Sequence, residues 1–189
     1  MPAPFPAPPG FLLARRRCHS YSPTGTGHGG PHPGLGHRHR RPPWGTPLNE
    51  PELRALFAYD RFAAAAGIEL VEVREGYAMA RMRAEGRHLN GVDVVQGGCL
   101  FTLADFAFAA ACNSHGTLAV AINASISFVE AGRPGLLTAE AQELAVSPRL
   151  SACTVHVRDS SGTLIAIFQG MAYRKHQSVA DYLEQTKRS

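Results

Sequence analysis

Asp105 is the single charge in a 16-residue apolar run, Gly97 to Cys112. An ionised carboxylate buried without a partner is costly, and the usual escape is a displaced pKa. Such a group serves either as a catalytic base or nucleophile, or as a structural aspartate tied to a backbone amide or an arginine; on this residue alone both remain open. Gln96-Gly97-Gly98 opens the same run. The N–H groups of a helix's first turn lack intrahelical partners, and the helix dipole makes that end attractive to negative charge. Glycines let a substrate approach the bare backbone, so a carbonyl placed there would have its developing oxyanion stabilised. The same residues also suit an ordinary glycine loop entering a helix. Asn90 could orient an attacking water, and as an asparagine followed by glycine it equally suits a turn.

Spacing restricts how these groups cooperate. Eight residues at about 1.5 Å each separate Gly97 from Asp105 by about 12 Å along a helix. A nucleophile and an oxyanion donor must both lie within about 3 Å of one reacting carbonyl. One chain cannot supply both. Two antiparallel helices related by a twofold can, so if both groups are catalytic the molecule is at least a dimer with two composite sites.

Other chemistries find no support. The chain has no GlyXaaSerXaaGly, no P-loop and no dinucleotide fingerprint. Its four cysteines, Cys18, Cys99, Cys112 and Cys153, include no CxxC pair, so neither a metal site nor a cofactor is expected. They read as reduced, mostly buried thiols, which suits the cytoplasm. His88 and His115 are expected at the surface.

The elements that must position these residues follow from periodicity. Asn49 and Glu52 resemble a capping box, with Leu53, Leu56, Phe57 and Phe62 near helical spacing and Gly67 as a stop. Residues 68–74 alternate apolar and polar, Glu75-Gly76 turns the chain, and 77–83 returns it. The 97–113 run is apolar on nearly every face, which predicts a helix surrounded by protein and ended by Gly116. Four strand-like runs follow, 118–129, 136–146, 150–159 and 163–174, separated by sound turn chemistry. In the third, Cys153, Val155 and Val157 point one way and Thr154, His156 and Arg158 the other. Helix, two strands, buried helix and four strands predict an α+β fold, an antiparallel sheet wrapped around one long helix.

Composition divides the 189 residues near position 47. Residues 1–47 hold 11 of the 14 prolines, 8 of the 19 glycines, 5 of the 9 histidines and six arginines, with no Asp or Glu. The stretch predicts a disordered extension of 1–47, followed by one domain over 48–177 and a C-terminal tail over 178–189. The remainder carries 13 Lys+Arg against 15 Asp+Glu, so the basic balance belongs to the leader and no nucleic-acid-binding face is expected. The apolar run falls short of a bilayer span and contains an aspartate, so no membrane association is expected either. FLLA precedes three arginines, the wrong order for a secretory signal.

LeuAsnGly (89–91), GlnGlyGly (96–98) and LeuAlaAspPheAlaPheAlaAlaAlaCysAsnSerHisGly (103–116) resemble the signature of phenylacetate-pathway hotdog-fold acyl-CoA thioesterases, and SerIleSerPheValGluAlaGly (125–132) resembles their strand and turn after the helix. The likeness covers about residues 50–175. It implies a hotdog fold and hydrolysis of aryl-, phenylacetyl- or medium-chain acyl-CoA in a homodimer or homotetramer. It implies that Asp105 attacks the thioester or activates water, that the Gly97 N–H reaches the thioester oxygen from the neighbouring subunit, and that Asn90 positions water. Gln96 stands where family members usually carry histidine. It can donate a hydrogen bond but cannot change protonation near neutral pH, so Gln96 cannot serve a step that needs an imidazole there. Gly98, Asn123 and Ser125 are the candidate substrate-binding positions, and Arg133 or Arg149 could meet the phosphates of CoA. The alternatives are a hydratase or dehydratase on the same fold, which would use a histidine with a carboxylate, and a non-catalytic acyl-CoA-binding protein.

Overall fold

The computed structural model describes residues 50–187, so the leader over 1–47 and the Asn49 half of the capping box lie outside the described residues. The elements run α1 (Glu50–Phe57), α2 (Arg61–Ala65), β1 (Ile68–Arg74), β2 (Tyr77–Ala84), α3 (Gly97–Asn113), β3 (Thr117–Phe128), β4 (Gly135–Val146), β5 (Leu150–Asp159), β6 (Leu164–Ser178) and α4 (Val179–Lys187), with a 3-10 turn at Gly86–His88. The helix expected before β1 is broken in two. The Asp60 carboxylate accepts the Ala63 N–H at 2.9 Å and starts α2 as a fresh helix, an N-cap that competes with continuing α1.

All neighbouring strands pair antiparallel, in the order β1-β2-β4-β5-β6-β3. One face of this sheet packs on α3, which touches every strand. The alternation read in β5 is the one observed, with Cys153, Val155 and Val157 buried. Ala104, Ala107, Ala110 and Ala111 are fully buried, and such small side chains let the sheet close in on the helix. At Gly170 of β6 the approach is closest, since a Cβ there would come within 2.8 Å of the Phe108 ring. Gly116, at φ +79°, donates its N–H to the Asn113 carbonyl at 3.0 Å and turns the chain out of α3 into β3.

Three expectations need correction. His88 and His115 are each only 5% exposed. The Nδ1 of His88 accepts the Glu85 N–H at 2.9 Å, so the 3-10 turn folds the ring back onto its own start. The Nε2 of His115 lies 2.5 Å from the Glu143 carboxylate and its Nδ1 faces Glu75 at 3.4 Å, so the β1–β2 turn and β4 enclose it. The C-terminal residues expected as a tail form α4, docked through Val179 and Leu183 on Leu118 and Leu56 in a small cluster of their own. Among the described residues no helix is long and apolar enough to cross a membrane, and no group of three or more His, Cys, Asp or Glu side chains could hold a metal.

Candidate active site

The helix expected to be enclosed on all sides is not enclosed by its own chain. Leu100, Leu103, Ala104, Phe106, Ala107, Phe108 and Ala110–Asn113 are buried, while Gly97, Gly98, Cys99, Phe101, Thr102, Asp105 and Ala109 remain partly or fully open. Their three- and four-residue spacing makes one continuous stripe along α3. Asp105 lies midway on it.

Burial pushes the Asp105 carboxyl above the usual carboxylate range, and the like charge of Asp60 pushes it further in the same direction. Asp60 is held there by its own capping bond to α2. Among the described residues Asp105 meets neither of the partners a structural aspartate would need, a backbone amide or an arginine. Sequence reasoning missed Asp60 at this site. An aspartate three residues before an alanine-rich stretch signals a cap, but nothing local says what the cap faces.

At the head of α3 the amides divide unequally. Gln96 is the N-cap, and its side-chain oxygen takes the Gly98 N–H; the Cys99 N–H bonds the Gln96 carbonyl at 2.9 Å. Among the described residues no bond takes the Gly97 N–H. That leaves Gly97 as the free first-turn donor. The Phe128 ring of β3 lies over Gly97, where a Cβ would come within 2.9 Å of it.

Asn90 shows its turn character. Its side-chain oxygen accepts the N–H groups of Val92 at 3.0 Å and Val94 at 3.3 Å, and its own N–H bonds the Val94 carbonyl at 2.8 Å. These bonds hold a compact loop directly before Gln96. Asn123 and Ser125 are exposed on β3, the outermost strand on that side of the sheet. Arg133 is exposed beside Gly132, whose carbonyl takes the Val95 N–H at 2.9 Å, so it sits close to the head of α3. Arg149 lies instead in the β4–β5 turn, 3.4 Å from the Tyr173 hydroxyl.

Comparison with known proteins bears on the family and the fold. Residues 93–166 match the model of the Thioesterase superfamily. The chain is 36% identical over 121 residues to the acyl-coenzyme A thioesterase PaaI of Escherichia coli K12, covering 64% of this chain and 86% of that one. The solved structure of E. coli PaaI, from the phenylacetic acid degradation operon, superposes with a TM-score of 0.66 at 34% identity, over 68% of this chain and 94% of PaaI. The phenylacetic acid degradation protein PaaI of Thermus thermophilus, solved as a mutant, superposes at 0.59 with 32% identity, over 61% of this chain and all of that one.

Proposed function

Because the chain belongs to the PaaI-like acyl-CoA thioesterases of the hotdog fold, we propose that Asp105 is the group that drives thioester hydrolysis and that the Gly97 amide of a second subunit holds the thioester oxygen. The observation behind this reading is the open stripe on α3. It carries a half-buried carboxylate with no countercharge and, eight residues earlier, the one first-turn N–H without a partner among the described residues. An acyl-CoA lying along that stripe would place its carbonyl carbon at Asp105. Either the carboxylate takes a proton from water as the water oxygen bonds to that carbon, or the carboxylate bonds to it directly and water resolves the anhydride. In both routes the C–S bond breaks and CoA leaves as a thiolate that is then protonated.

A raised pKa makes Asp105 a stronger base than an exposed aspartate, provided the pH keeps it ionised. Gly97 N–H would be worth most in the tetrahedral intermediate, whose oxygen carries the negative charge. Gln96 acts through the cap that engages Gly98 and leaves Gly97 free, and Asn90 through the loop that delivers Gln96. Gly98, Asn123 and Ser125 would line the approach, with Arg133 better placed than Arg149 to meet a CoA phosphate.

The second subunit enters by the spacing argument and finds a surface. On β3, the outer strand, Ile122 is 56% exposed, and Phe128 and, just past the strand, Val129 are also exposed, an apolar edge suited to a twofold copy. We place the enzyme in the cytoplasm with an aryl-, phenylacetyl- or medium-chain acyl-CoA substrate, by analogy with the PaaI relatives.

The test is thiol release from a panel of acyl-CoA esters. Asp105→Ala is expected to lower turnover by several orders of magnitude with the fold intact by circular dichroism. Near-normal hydrolysis by that variant would remove Asp105 from the mechanism.

A further inference from the structure

A groove opens one turn beyond Asp105. Phe57, Tyr59, Ala109, Val120, Lys175 and Tyr182 are among the residues that enclose its volume of about 470 Å³, a size that suits a small-molecule ligand. Ala109 follows Asp105 by four residues, about 6 Å along the axis, on the same open stripe. Asp60, whose charge acts on Asp105, also lines the groove. The groove therefore begins within one helical turn of the carboxylate, on the same open stripe.

Several polar atoms that line it are already engaged. Asn113 donates from Nδ2 to the Ala109 and Ala119 carbonyls at 2.9 and 3.1 Å, and its Oδ1 accepts the Ala119 N–H at 2.9 Å. The Thr186 hydroxyl donates to the Tyr182 carbonyl at 3.0 Å. Apart from Asp60, Lys175 and the hydroxyls of Tyr59 and Tyr182, the lining offers methyl and ring surface, which favours an apolar body over a sugar or a peptide. The far wall is α4. Its Val179 and Leu183 dock the helix, while Tyr182 and Thr186, four residues apart, line the groove.

Resting on hydrolysis at Asp105, we infer that this groove holds the acyl or aryl body of the substrate and that Tyr182 sets how long that body can be. The thioester sits at Asp105, the acyl group runs toward the end of α3, and the CoA moiety runs the other way.

S-alkyl-CoA thioethers from ethyl to dodecyl cannot be hydrolysed and so report binding alone, by titration calorimetry. In the wild type each added methylene should tighten binding about fourfold until the wall is reached, after which affinity levels off. Tyr182→Ala should move the plateau to longer chains, and Thr186→Trp, which fills the groove, to shorter ones. Thiol release from the matching acyl-CoA esters should rank kcat/KM in the same order. A plateau at the same length in both variants overturns the inference. Chain-length-dependent binding without thiol release would sink hydrolysis and leave the groove standing, whereas thiol release without chain-length dependence would do the reverse.

Discussion

On the proposed mechanism, Asp105 couples stability and activity through one proton. Its folded pKa lies above the unfolded one, so the cost of holding it ionised is absent at acid pH and grows as pH rises toward the folded value. Asp105→Asn should therefore be more stable to urea than the wild type at neutral pH and equal to it near pH 3, below the ordinary aspartate range of about 3.9. Equal stability at both values would contradict the burial of that charge. With Asp105 as the proposed base, the same shift would govern rate, because a carboxylate acting as base loses activity as it is protonated. The acid limb of kcat should fall at a pH above the usual carboxylate range. Asp60→Asn removes the like charge and keeps a competent helix cap, so it should move that limb to lower pH without unfolding the chain. An unmoved limb would mean that Asp60 does not act on Asp105.

At the scale of elements, α3 must be held firmly if its stripe is to present two groups in register. Phe108 and Phe168 pack with ring centroids 5.5 Å apart, and the backbone of Gly170 leaves room for the Phe108 ring. Gly170→Ala sets a methyl against both rings, and any retreat of the helix would open the alanine contacts that close it onto the sheet. A loss of about 1–3 kcal/mol in unfolding free energy is expected, the range for overpacking a dense core; denaturant titration that shows no change would disprove this packing. The other end of α3 is tied by a buried polar chain. Glu143 of β4 accepts the Ser151 hydroxyl and meets His115, and Ser151 contacts the Cys112 thiol at 3.2 Å. A hydrogen bond with Cys112, reinforced by burial, pushes the Cys153 thiol above its usual range, so it stays protonated and inert.

For the whole molecule, the proposed composite site can be tested by mixing two disabled chains. Gln96, at φ −64° and ψ 134°, has the conformation that precedes proline, and Gly97 is the first helical residue, where proline is tolerated. Gly97→Pro thus deletes the free N–H while keeping the helix, its Cβ displacing only the tip of the exposed Phe128 ring, and should cost about 10²–10³ in kcat, with Gly97→Ala, which keeps the N–H and makes the same ring contact, as the control. Mixed by denaturation and refolding with Asp105→Ala, it should recover about a quarter of wild-type activity, since half the dimers are mixed and each of those has one intact site. Recovery near zero, with mixed dimers demonstrated by mass, would show that both groups act within one chain.

The long helix and every strand were legible in the sequence because each depends on periodicity and turn residues within a short window. Strand ends moved by at most a few residues, and Gly116 stopped α3 where expected. A lone carboxylate in an apolar helix was equally visible, as was the glycine pair ahead of it. Burial of His88 and His115 was not, because isolated polar residues in connecting segments carry no pattern and the Glu143 that meets His115 is 28 residues away. Nor could the sequence show that Asp60 presses on Asp105, that Gln96 consumes one amide and leaves another, or that α4 walls a groove. Each of these depends on where segments distant in the chain are brought together by packing, and only the tertiary structure decides that.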